Sequence, residues 1–134
     1  MVSFADKPLV EPVSVEHWER WILEHGTVDG ARLKLRKKNA DVPGITYDEA
    51  LEVALCHGWI DGQAATFDEH HSLRAFTPRR PRGPWSQRNV EIVARLIAEG
   101  RMREGGLAEV ERAKADGRWD AAYRQSTAPV PDDL

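Results

Sequence analysis

Between Ser14 and Gly26 the apolar positions recur every three or four residues, so that Val15, Trp18, Trp21, Ile22 and His25 fall on one side of a helical wheel. Ser14 suits the N-cap and Gly26 the C-terminal cap, which predicts a helix over 15–25. The period then drops to two. Residues 31–38 alternate apolar and basic side chains, the pattern of a strand with one buried face. Thr46 and Glu49 form a capping box that opens a second helix, with Tyr47, Leu51, Ala54 and Leu55 as its buried stripe and Gly58 as its stop.

Trp59, Ile60 and Asp61 begin a predicted strand that runs towards Phe67, and Asp68–His71 make the turn. Residues 72–77 set Leu73 and Ala75 against Arg74 and Phe76, which suits an antiparallel return. Pro78, Pro81 and Pro84 interrupt the chain before Ser86 caps a long helix that sets Val90, Val93, Ala94 and Ile97 on one face, with Ile92 and Leu96 widening it, and ends at Gly100. A last helix over about 105–115 turns Leu107 and Val110 inward and sets Glu109–Arg112 and Glu111–Lys114 outward at i,i+3 spacing, Gly117 stops it, and Trp119 and Tyr123 dock back. Residues 1–13 read as an extended arm pinned by Phe4 and Leu9. The pattern predicts one α+β domain over 1–124, a small antiparallel or mixed sheet with about four helices mainly on one face, and a tail over 125–134.

The 134 residues, 41% apolar and 31% charged, are enough for one core without staples. No apolar run approaches the roughly 20 residues of a membrane span. Asp6, Lys7 and Glu11 leave residues 1–13 without the apolar centre of a signal peptide, which points to the cytoplasm. Cys56 is the one cysteine, which excludes an internal disulfide. The net charge of −3 conceals a basic segment: residues 74–103 hold eight arginines against Glu91 and Glu99, a local +6 that leaves −9 elsewhere.

Within that segment, Arg79, Arg80 and Arg82 sit on a proline-restrained loop that leads through Trp85 and Ser86 into a helix start. Arginine without lysine favours two-point contacts to phosphate or carboxylate, and helix N-termini favour anions. The arginines serve an anion pocket, or they pair with acids such as Asp61 or Asp68, or they are solvated. Trp59 and Asp61 share one side of an extended segment, offering a ring and a carboxylate together. In the structural alternative Trp59 fills the core and Asp61 neutralises an arginine of 79–82. Asp68, Glu69, His70 and His71 can ligate metal, but neighbours on a strand point apart, and no metal or other cofactor is expected. Cys56 lies in the last turn of its helix, where the dipole opposes a thiolate.

Several segments also carry a family resemblance. Tyr47-Asp-Glu-Ala50, Ala54-Leu-Cys-His-Gly-Trp-Ile-Asp-Gly62, Phe76-Thr-Pro-Arg-Arg-Pro-Arg82 with Trp85-Ser86, Ile97-Ala-Glu-Gly-Arg-Met102 and Ala113-Lys-Ala-Asp-Gly-Arg-Trp119 resemble, in that order, the YdeI/OmpD-associated family of bacterial proteins. The resemblance covers most of 14–124. It implies a link to bacteriocin protection, and a basic helical segment beyond the position of Pro131-Asp-Asp-Leu134.

The first functional reading is a non-catalytic binding domain in which Trp59, Asp61, Arg79, Arg80, Arg82, Trp85 and Ser86 surround an anionic small molecule or an acidic peptide. A second is nucleic-acid binding through 74–103, with Trp85 or Phe76 stacking on bases. A third is an enzyme with Asp61 as base and Arg79 or Arg80 as oxyanion stabiliser.

Overall fold

The alternation over 31–38 resolves into a strand, Ala31–Arg36, in which Ala31, Leu33 and Leu35 are buried and the basic residues between them are half-exposed. The computed structural model describes residues 4–25, 29–80 and 82–127. After a single 3-10 turn at Phe4–Asp6 the elements are β1 (Leu9–Val10), α1 (Val15–His25), β2 (Ala31–Arg36), α2 (Tyr47–Cys56), β3 (Trp59–Thr66), β4 (His71–Pro78), α3 (Gln87–Ala98), α4 (Glu104–Ala115) and α5 (Arg118–Thr127). The sheet order is β1-β2-β4-β3, with β1 parallel to β2 and the other pairs antiparallel, so the α+β fold has a mixed sheet.

Residues paired across strands share a face. Ala31 with Phe76 and Leu33 with Arg74 therefore lie on one side, and Arg32 with Ala75 and Lys34 with Leu73 on the other. The first side is the core: Ala31, Leu33, Leu35, Trp59 and Phe76 join Trp18 and Ile22 of α1 and most of α2. Leu73 and Ala75 are buried outside that cluster. The helices stack outward from the core side, α1 and α2 first, then α3 and α4 on α2, with α5 against both.

The capping box forms as read, with the Thr46 amide donating to Glu49 Oε1 at 2.9 Å and the Glu49 amide to Thr46 Oγ1 at 3.4 Å. Other expectations shift by one residue or more. Val10, not Leu9, pins the N-terminal arm, because pairing with β2 turns Val10 inward. In α2, Tyr47 is only half-buried, since the first turn reaches past the core edge. In α3 the buried stripe is Asn89, Val90, Val93 and Leu96, and Ala94 and Ile97 face outward, because this outer helix is covered on a narrow side only. In α4, Gly106 faces α2 and Leu107 is exposed. Trp119 docks as expected, but as part of a further helix, α5, that extends into the expected tail. The cap assigned to Gly26, the break at Pro81, the docking of Tyr123 and the tail beyond Thr127 lie outside the described residues.

The α2–α4 junction is a backbone-to-backbone contact. The Arg103 amide donates to the Cys56 carbonyl at 2.9 Å. A Cβ on Gly106 would stand 2.2 Å from that same oxygen and 2.8 Å from the Leu55 carbonyl oxygen. Neither is the end of a side chain that can swing away. Gly106→Ala is expected to cost about 2 kcal/mol or more by forcing the helices apart. Gly62→Ala, whose Cβ would meet the Ala75 Cβ at an ordinary 3.7 Å, serves as the control in the same urea melts. Equal losses in the two variants would contradict the junction's role.

Candidate functional site

The loop that leaves β4 is pinned at both ends. The Arg79 amide donates to the Gly58 carbonyl at 2.9 Å, fastening the loop to the end of α2. The Gly83 amide donates to the Arg80 carbonyl at 3.0 Å, closing a turn. Ser86 Oγ then accepts from the Asn89 amide at 3.1 Å and caps α3. Between these anchors Trp85 is buried, its ring 5.2 Å from that of Trp119 and inclined at 64°. The Arg79 guanidinium carbon lies 3.6 Å from the centroid of the Trp85 ring, a close cation–π stack.

Arg79 is only 8% exposed. Its Nη1 donates to the Pro84 carbonyl at 3.3 Å, while its Nε and Nη2 are buried without an acceptor among the described residues. Arg118, the first residue of α5, reaches the same loop. Its Nε donates to both Asp116 carboxylate oxygens at 2.8 Å and its Nη1 to the Gly83 carbonyl at 2.6 Å, leaving Nη2 buried with no partner among the described residues. Trp85 Nε1 is a further buried donor without an acceptor. Buried polar groups are ordinarily satisfied, and each orphan costs roughly 1–3 kcal/mol. Four around one loop and one helix start are a concentration of unmet hydrogen-bonding capacity, all of it donor.

Burial pushes the Arg79 guanidinium well below its ordinary value, to about 10; the fields of Glu109 and Asp61 oppose the shift and that of Arg118 adds to it. The group stays charged at neutral pH. Beside it lies a cavity of about 320 Å³ lined by Ile60, Thr77, Pro78, Arg79, Arg80, Gly83 and Pro84. Small-molecule sites commonly start near 300 Å³.

Arg79, Arg80 and Trp85 thus come together, with Arg80 exposed on the cavity wall. Arg82 is exposed and Ser86 is occupied as a cap; neither lines the cavity. Trp59 and Asp61 do not join them. Strand alternation is the reason: Ile60 pairs with Thr77 and faces the cavity, while its neighbours point to the opposite side. Trp59 is a core ring, edge-on to Trp18 at 5.9 Å and to Trp21 at 6.3 Å. Asp61 accepts from the Tyr47 hydroxyl at 2.6 Å and pairs with Arg74 at 3.7 Å, so the arginine it neutralises lies outside 79–82. Burial, then this carboxylate, raises the Tyr47 pKa. A base at Asp61 acting with Arg79 or Arg80 across one concavity has no geometric support.

Sequence reasoning missed Arg118. Its signal was present but weak: an arginine just after a helix-stopping glycine and just before a tryptophan, in Asp116-Gly-Arg-Trp119.

The basic segment is largely compensated by acids from elsewhere in the chain. Arg74 pairs with Asp61, Arg88 with Asp48 at 3.2 Å, Arg95 and Arg101 with Glu52 at 2.7 and 2.9 Å, and Arg103 with Glu19 at 3.4 Å. Asp68 is spent on the β3–β4 turn, accepting from the His70 and His71 amides at 2.8 Å. Cys56 is buried, and desolvation raises its pKa. His57 sits against Glu19 at 2.8 Å, which together with Arg103 holds that carboxyl below its ordinary range. Among the described residues no helix is long and apolar enough to cross a membrane.

A family model described as a domain of unknown function (DUF8412) matches residues 10–109, and the chain belongs to that family. No curated protein matches, and no solved structure matches.

Proposed function

We propose that this member of the DUF8412 family is a non-catalytic binding domain that receives an anionic group at Arg79, with the Trp85 ring beneath the guanidinium and Arg80 and Arg118 beside it. One observation carries the reading: Arg79 is only 8% exposed, stands on a cavity wall, and keeps two guanidinium donors with no acceptor among the described residues. An arginine buried only for stability would hold a carboxylate or a full set of carbonyls, because an uncompensated buried charge is destabilising. A group that binds an anion must instead leave its donors open. The chain's cytoplasmic setting and its relation to the YdeI/OmpD-associated proteins are part of the same proposal, and neither supplies a ligand.

The nucleic-acid alternative draws less support, because a surface whose arginines are already paired releases few counterions on binding. The test is a thermal melt of the full chain with sodium formate, phosphate and sulfate and with an acidic tetrapeptide, each at fixed ionic strength against chloride. At least one is expected to raise the midpoint saturably, by the equivalent of about 2.7 kcal/mol at a hundredfold excess over Kd. The rise should vanish in Arg79→Gln. No rise above chloride, or a rise that survives in the variant, would overturn the proposal.

A further inference from the structure

Resting on that anion-binding reading, we infer that the group received is the carboxylate of a small monovalent organic acid whose apolar body occupies the cavity beside Arg79. The free donors define the shape. Nη1 is already spent on the Pro84 carbonyl, and Nε and Nη2 form the remaining edge of the guanidinium plane. That edge presents two parallel N–H groups, a fork for two oxygens side by side. The Trp85 ring covers a face of the same plane, so the approach is in-plane, as a flat carboxylate requires.

Charge defines the valence. Arg118 already carries the Asp116 carboxylate, Glu109 is paired with Arg112, and Asp61 is shared by Tyr47 and Arg74. Among the described residues Arg79 is a buried charge with no ion-pair partner, and Arg80 is exposed at the cavity, where water screens it. One negative charge balances the site. A phosphate dianion would bring a second charge out of water with no buried partner. Ile60, Pro78 and Pro84 supply apolar wall for the rest of the molecule. The open donors are closed off from solvent, so binding requires a local rearrangement of the loop that carries them.

The experiment is a calorimetric titration of the full chain with formate, butanoate and hexanoate, with butanamide as the neutral isostere and inorganic phosphate as the competing anion. Affinity is expected to rise roughly two- to fourfold per added methylene. Butanamide should not bind. Arg79→Gln and Arg79→Lys, each first shown to be folded by its own melt, should weaken hexanoate about tenfold or more; the lysine keeps the charge and loses the fork. Phosphate binding more tightly than every carboxylate, with the same dependence on Arg79, would overturn the carboxylate class and leave the anion site standing. Carboxylates that bind without gain along the series would overturn the apolar body. No Arg79-dependent binding of any probe would remove the anion site itself.

Discussion

Trp18→Ala is expected to lose about 3–5 kcal/mol of stability, the range for emptying a buried tryptophan position. The ring is fully buried at the crossing of α1, α2 and the sheet, 5.8 Å from Trp21, 5.9 Å from Trp59 and 5.7 Å from Phe76. Its Nε1 donates to the Ala50 carbonyl at 3.1 Å, which ties α1 to α2 beneath the ring. Removing it leaves three aromatic neighbours facing a void that rigid elements cannot close. Domains of this size hold roughly 5–15 kcal/mol in total, so the variant should sit near the edge of folding at body temperature. A urea midpoint displaced by less than the equivalent of 1 kcal/mol, at unchanged slope, would contradict this assignment of the core.

Arg79→Met should separate stability from function. Methionine fills a similar length without buried donors, so the variant is relieved of two orphaned N–H sites and of a desolvated charge. The sign follows from the lowered pKa: folding disfavours the charged form at every pH below about 10. Above that value the folded state releases its proton before the unfolded chain does, and stability attributable to this group rises with pH. At neutral pH the methionine variant is therefore expected to be as stable as the parent or more so, by about 1–2 kcal/mol. Binding of the anion should fall by about a hundredfold or more, as when one partner of a buried charge pair is removed. A large destabilisation, with anion affinity unchanged, would return Arg79 to a structural role.

What was legible in the sequence follows from how local each signal is. The capping box at Thr46 and Glu49, the Ser86 cap, the limits of α1 and the alternation in β2 are written within a few residues, and each forms where expected. The strand pairing was legible too, because turn residues and alternation occur together over 59–78. Which face each helix buries was less so. Ile97 and Leu107 are apolar and stand where a wheel allows burial, yet α3 is a peripheral helix and α4 meets α2 through glycine backbone. Those outcomes depend on neighbours distant in sequence.

The candidate site divides the same way. The arginine loop with Trp85 was read as a unit and the fold holds Arg79, Arg80 and Trp85 together. Joining Trp59 and Asp61 to it needed the register of β3, where the shift after Asp61 and the alternation before it leave only Ile60 towards the cavity. Arg118 enters from a helix the sequence pattern left as a returning segment, and only tertiary packing brings it to Gly83.

The most direct measurement is the guanidinium NMR spectrum of the ¹⁵N-labelled full chain, with the Arg79 Nε–Hε peak assigned by its loss in Arg79→Lys. Addition of formate or of butanoate is expected to shift that peak saturably while the peak of Arg82, which is exposed and does not line the cavity, moves little. A peak that stays in place through both titrations, with changes confined to exposed arginines, would contradict an anion site at Arg79.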